Sequence, residues 1–415
     1  MERKSIESDI SVYYLWNISL GCFIVAAITG FLYRLGIVGG LPASWGLALD
    51  NIRHAHSHLM FFGWAVPFPL VILFNYLVSQ DSNPRAGVTW MRYSIAGALI
   101  FGVLSYPFFL LYGYRPVAIG SSSLPLSVIF SGLVMICWYA FFWGYRKLRA
   151  LLDGDASQAW IDGALVMLFV SSLGAWGVAV VQAVVPNSHL LMKSLTHFFL
   201  ATFTEGWVVL VLVAIVVMQL QPQASDWKLA PNVWLGCIAI GAPLTFPYGI
   251  SESLLSPMLL LVARLGGGLA AIGLLGVSYT FWASGKWKHK LWGWIVGLLA
   301  FKALMQLVAS VAPSSFWLSD HGLRIFYLHV LLLGALTLTL SAWLQNRFQI
   351  SETYFHIVVI SVFAVLVSLV LPTSFWPVNW GGAWIFQALV AAALLPPLAM
   401  GAQWIAITTS KKNTP

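Results

Sequence analysis

Long apolar stretches follow one another along almost the whole chain, each near the ~20 residues a helix needs to cross a bilayer. Twelve are read: Val12–Val38, Arg53–Ser79, Trp90–Tyr114, Leu124–Leu148, Ala159–Val185, Leu190–Leu220, Asn232–Ile250, Pro257–Ser284, Leu291–Ala312, Leu323–Leu344, Tyr354–Leu371 and Ala383–Ile407. The polar connections between them are short, and none is long enough for a domain of its own. The predicted fold is therefore an all-α integral membrane protein of about twelve transmembrane helices, one polytopic membrane domain over residues 1–415. Chemistry is expected inside that bundle.

Composition sharpens the class. The chain has 415 residues, 60% of them hydrophobic and 8% charged, whereas an ordinary soluble domain carries about 25% charged residues. Its net charge of +8 raises nucleic acid as a partner, but the distribution argues against it. Arg3, Lys4, Arg85, Arg92, Arg146, Lys147, Arg149, Lys228, Lys286, Lys288, Lys290, Arg347, Lys411 and Lys412 fall on one side of the predicted spans. Arg34, Arg53, Arg115, Lys193 and Arg324 fall on the other. By the positive-inside rule both termini are cytoplasmic, in a membrane of the bacterial inner-membrane type, with the lipid bilayer as the main partner. Cys22, Cys137 and Cys237 stand singly in separate spans and give no pairing signal. No cleavable signal peptide is read, because the first apolar stretch is too long and lacks a cleavage site.

Ionisable side chains in membrane spans are costly and mark sites. The second span opens with His54, His56 and His58, the sixth with His197 and the tenth with His329. Each comes four spans after the one before, which predicts pseudo-threefold order built from four-helix units. All three sets fall in the first turns of spans running in the same direction, so the imidazoles are expected at one depth near the outer face, converging on a shared pocket. His54 and His58 are i,i+4 and share a helix face; His56 points roughly opposite. His58 and Gly63 share the spacing H-x4-G with His329 and Gly334. Such a glycine admits a flat macrocycle or a neighbouring helix. Imidazoles projecting from facing apolar helices suit haem iron.

Glu205 lies eight residues after His197, about 12 Å along the same side of the helix. This makes Glu205 a candidate proton carrier and His197 a candidate metal or haem-edge ligand, with an interhelical hydrogen bond from Glu205 as the structural alternative. Lys302 and Arg264 also lie within spans and need partners, for which Glu205 and Glu252 are the carboxylates at hand. Asp320 and His321 read as an exposed loop pair, and His189, His289 and His356 receive no role. Ala242–Gly249, with two prolines, interrupts the seventh span; such breaks can line a cavity. No Walker loop, nucleophile elbow, HExxH or CxxCH is present.

The stretch His56-Ser57-His58-Leu59-Met60-Phe61-Phe62-Gly63-Trp64, with Pro67 beyond it, resembles the second-span element of the haem-copper oxidase subunit I superfamily. It is also similar to an element of NnrS-type haem and copper membrane proteins linked to nitric oxide metabolism. Tyr327-Leu328-His329-Val330-Leu331-Leu332-Leu333-Gly334 is similar to the tenth-span element with which subunit I ligates its haems. His197 followed by Glu205 resembles the sixth span of nitric oxide reductases. The resemblance implies a twelve-span bundle holding haem b, one or two per chain, between His58 or His56 and His329. His197 and Glu205 would line a second site for copper or iron, nitric oxide or protons.

The departures are specific. The seventh span has no histidine, the tenth has Tyr327 where the family has another histidine, and Ala201 replaces the cross-linked tyrosine. The family's paired arginines between the last two spans are also missing. A complete oxygen-reducing centre is therefore not expected. The expected function is haem-dependent redox or gas-ligand chemistry in respiration or nitric oxide defence, with an electron donor or respiratory-complex subunits as partners. The alternatives are a cofactor-free proton-coupled transporter and an assembly partner of a respiratory complex.

Overall fold

The structure, a computed structural model, describes residues 2–80, 87–150, 156–250, 254–288, 291–313 and 320–412. Among them, 11 helices are long and apolar enough to cross a membrane: Val12–Gly39, Leu49–Gln80, Val88–Tyr112, Leu126–Arg149, Ser157–Val184, His189–Leu220, Pro257–Ala283, Trp292–Val311, His321–Phe348, Glu352–Val370 and Ala383–Ser410. The seventh position is taken by the shorter apolar helix Pro231–Leu244, which continues into a 3-10 turn, Phe246–Gly249. The protein is an all-α multi-pass membrane protein of about twelve helices. A two-stranded hairpin, β1 (Val117–Ile119) with β2 (Ser122–Leu124), joins the third and fourth spans.

The chain forms two compact units: Met1–Asp153 with Leu344–Ser368 and Asn379–Pro415, and Gly154–Trp343 with Leu369–Val378. Within the first, the indole N–H of Trp404 on span twelve donates to Asn17 Oδ1 on span one at 2.6 Å. Trp16, Phe23 and Trp64 are buried there. Within the second, spans eight and seven pack closely enough that a Cβ on Gly241 would come within 2.6 Å of Gly266 O and Ala270 N. Small residues thus let two apolar helices approach where lipid offers no hydrophobic driving force.

The helices that carry His58, His197 and His329 share a feature that no other described span has. Each contains a π-helical turn after its histidine: Met60–Ala65, Thr202–Val208 and Val330–Leu336. A π-turn inserts one residue into the α-helical repeat, re-aims the following side chains, and occurs often at functional sites. Each π-turn contains one glycine, Gly63, Gly206 or Gly334. Hydroxyls attend the loosened carbonyls: Ser19 donates to Gly63 O, and Thr337 donates to Leu332 O, five residues back, at 3.0 Å. The three spans are also the most buried of the 11 long described helices, at 78%, 94% and 67% of their most apolar windows against at most 50% in the others.

The helices begin at Leu49, His189 and His321, earlier than the apolar pattern suggests. His58, His197 and His329 therefore stand about 12–13.5 Å inside their helices at ~1.5 Å per residue, in the third turn. Asp320 is the reason in the tenth span: its carboxylate accepts from Leu323 N at 2.9 Å and caps the helix.

Candidate functional site

In the first unit, Asn51, His54, His56 and His58 lie on one helix, and the expected division of faces is present. His54 and His58 both pack on Tyr114: the His54 ring meets it edge-on at 4.7 Å, and His58 Nε2 is hydrogen-bonded to the Tyr114 hydroxyl at 2.7 Å. The His58 ring also stacks on Phe109 at 3.8 Å. Its buried Nδ1 has no hydrogen-bond partner among the described residues. His56 turns the other way, toward span one, and its Nδ1 is 2.7 Å from Ala26 O. A Cβ at Gly30 would stand 2.8 Å from the His56 ring, so only glycine allows this approach. Gly63 has a similar role: a Cβ there would lie 2.5 Å from Cys22 Cβ. At that position, then, it is a neighbouring helix that approaches.

In the second unit, His329 Nδ1 lies 2.8 Å from Ile325 O of its own helix. A carbonyl can only accept, so Nδ1 of both His56 and His329 carries the proton, and in the neutral ring Nε2 keeps its lone pair. A Cβ at Gly334 would lie 3.3 Å from Leu298 Cδ1, an approach less tight than at Gly63. Among the described residues no three His, Cys, Asp or Glu side chains converge as a metal-binding group.

The second unit also holds a buried polar cluster. Lys302 on span nine is ion-paired with Glu205 in the π-turn of span six. Lys302 is 1% exposed and Glu205 5%, which separates this pair from surface salt bridges of little worth. Tyr327 OH donates to Glu205 Oε1 at 2.8 Å, and Lys302 Nζ donates to Gln306 Oε1 at 2.7 Å. The ammonium also sits 5.5 Å from the centroid of the Tyr327 ring. The carboxylate thus accepts on both oxygens from groups able to give a proton. Glu252, the alternative partner, and His289 lie outside the described residues.

A cavity of about 580 Å³ borders this cluster. His197, Thr204 and Glu205 contribute from span six, Gln306 from span nine, and Arg324 and Tyr327 from span ten. Thr245, Phe246, Tyr248 and Gly249 supply the wall formed by the break in span seven. Pro243 and Pro247 explain that break, since neither can donate a backbone hydrogen bond. Gly249 lies directly against His197, where any Cβ would overlap the ring.

His197, Glu205 and Tyr327 are therefore brought together on one cavity, while His329, two residues beyond Tyr327, is directed to Ile325 O. His54, His56 and His58 belong to the other unit. Sequence reasoning named Lys302 and Glu205 but missed Gln306, Arg324 and Tyr114 as participants. Gln306, a polar residue one turn after Lys302 in an apolar span, carried a readable signal. No family model matches the chain, and no curated protein matches it.

Proposed function

We propose that this protein is a haem-binding membrane protein of the subunit I type, acting in respiratory redox or nitric oxide chemistry without a complete oxidase centre. Both termini are cytoplasmic in this reading. The observation that supports it is the state of two imidazoles: His56 and His329 each commit Nδ1–H to a backbone carbonyl, which puts the lone pair of the neutral ring on Nε2. That second hydrogen bond is the usual companion of a ligating histidine, because it fixes tautomer and ring orientation. His58 is less suited, since Tyr114 occupies its Nε2.

Haem, when bound, supplies one-electron chemistry and an iron for gas ligands. The chain's own residues hold protons. Lys302 and Tyr327, which donate to the two oxygens of Glu205, are the proton-bearing groups of the buried cluster. His197, on the same cavity, is the next titratable side chain toward the start of span six. The reading is tested by oxidised and dithionite-reduced absorption spectra with an iron assay, on full-length protein from haem-replete cells. A Soret band weakened by His56→Ala and by His329→Ala is expected; protein without haem or iron overturns it.

A second reading, proton-coupled transport, is favoured by the cavity itself, whose wall is a broken helix and whose lining includes one member of a buried ion pair. Proton flux into liposomes that is lost in Glu205→Gln while iron is absent would select it.

A further inference from the structure

Among the described residues, the cavity of the second unit carries an unbalanced charge. Glu205 is neutralised by Lys302, whereas Arg324, which also lines the cavity, has no ion-pair or side-chain hydrogen-bond partner among the described residues, and its Nε is buried. Asp320, one turn earlier on the same side, is the obvious partner. Its carboxylate is instead taken by the backbone N–H groups of Leu323 at 2.9 Å and Ser374 at 2.8 Å. Lys193 and Arg324 both bear on His197 with positive charge. The cavity is thus cationic where Arg324 faces it, beside the His197 ring, and no carboxylate of its own answers that charge among the described residues.

The rest of the lining is apolar, from Leu200, Phe246, Met305, Val308 and Leu328. A hydrated inorganic anion would occupy a small part of about 580 Å³ and leave those walls wet. A planar carboxylate matches the guanidinium fork in two parallel hydrogen bonds, and an attached hydrocarbon body would cover the walls. We infer that this cavity is a binding site for an organic monocarboxylate with an apolar body, its carboxylate held by Arg324 and its body covering the walls of Leu200, Phe246, Met305, Val308 and Leu328. The inference does not rest on haem binding, because neither His56 nor His329 takes part.

The test is calorimetric titration of the full chain in lipid nanodiscs, with empty nanodiscs subtracted. The probes are butyrate, hexanoate, octanoate and decanoate, with benzoate and 3-phenylpropionate as soluble aromatic acids and octanol as the uncharged control. Affinity is expected to rise roughly three- to fourfold per added methylene, with octanol at least tenfold weaker than octanoate. Arg324→Gln is expected to weaken octanoate at least tenfold, and Ala309→Trp, which fills the cavity, to weaken octanoate more than butyrate. Should Arg324→Gln fail to fold, Arg324→Lys keeps the charge without the fork and is expected to weaken octanoate at least threefold.

A preference that climbs to decanoate names a lipid-derived fatty acid; one that peaks at the aromatic acids names a soluble source. Equal binding of octanoate and octanol, an unchanged affinity in both Arg324 variants, or displacement of octanoate by equimolar nitrate overturns the proposal.

Discussion

Lys302 and Glu205 form an ion pair almost wholly removed from solvent, joining the ninth span to the π-helical turn of the sixth. Tyr327 and Gln306 complete the hydrogen bonding on either side of it. Two opposite charges in the membrane interior are tolerable only with such geometry, since desolvation is repaid only when the remaining donors and acceptors are also met.

Breaking that pair from one side is expected to be much worse than removing it whole. Lys302→Met leaves the Glu205 carboxylate buried without its cation and should cost about 3–5 kcal/mol. Adding Glu205→Gln to it should recover most of the loss. Thermal unfolding of the two variants in lipid nanodiscs measures the difference, and equal loss in both would show that the pair is not the stabilising element.

Tyr327→Phe keeps the ring beside Lys302 and removes one hydrogen bond to a charged acceptor. A loss of about 1.5–3 kcal/mol is expected, with the 580 Å³ cavity otherwise intact. Gln306→Leu, by contrast, removes an acceptor from Lys302, and the two changes should be non-additive because both act on one network. A double-mutant cycle on unfolding free energy reads this coupling directly.

Gly249→Ala places a methyl group in the space of the His197 ring. Either the ring or the turn Phe246–Gly249 must move, at an overpacking cost of about 1–3 kcal/mol. The expected signature is lower thermal stability together with altered reactivity of His197 toward diethyl pyrocarbonate. Gly236→Ala, on span seven where a Cβ meets nothing, is the matched control.

Asp320 gives a pH dependence of defined sign. Partial burial works to raise its pKa, but backbone N–H bonds from Ser374 and Leu323 outweigh this and hold the carboxyl below the usual carboxylate range. Its contribution to stability is complete above the unfolded value of about 4 and is lost as pH falls through the lower folded value. Asp320→Asn should therefore flatten the acid limb of the stability–pH curve below about pH 4 and leave its neutral region nearly unchanged in slope.

Much of this architecture was legible in the chain because lipid imposes a simple rule: an apolar run of sufficient length becomes a helix. The break at Pro243 and Pro247 was legible for the same reason, since proline removes the donor a continuous helix requires. The meeting of Lys302 with a carboxylate followed from the cost of leaving either alone, but that Glu205 is such a partner needed packing information. The π-turns carried no local signal beyond a glycine in each. They depend on an inserted residue whose carbonyl is answered from elsewhere, as Ser19 answers Gly63. The apolar pattern starts the tenth span at Leu323 and so leaves Arg324 at its edge; the Asp320 cap starts the helix at His321, two residues earlier. Tyr114, in the connection after Gly113, announces nothing until its hydroxyl is found against His58.

The most direct test of the account is the reduced-minus-oxidised absorption difference of purified full-length protein and its His56→Ala, His58→Ala and His329→Ala variants. A b-type haem spectrum with stoichiometric iron is expected in the wild type. It should be retained in His58→Ala and lost or high-spin in the other two. Iron-free wild-type protein from haem-replete cells, or a spectrum indifferent to both His56 and His329, would contradict it.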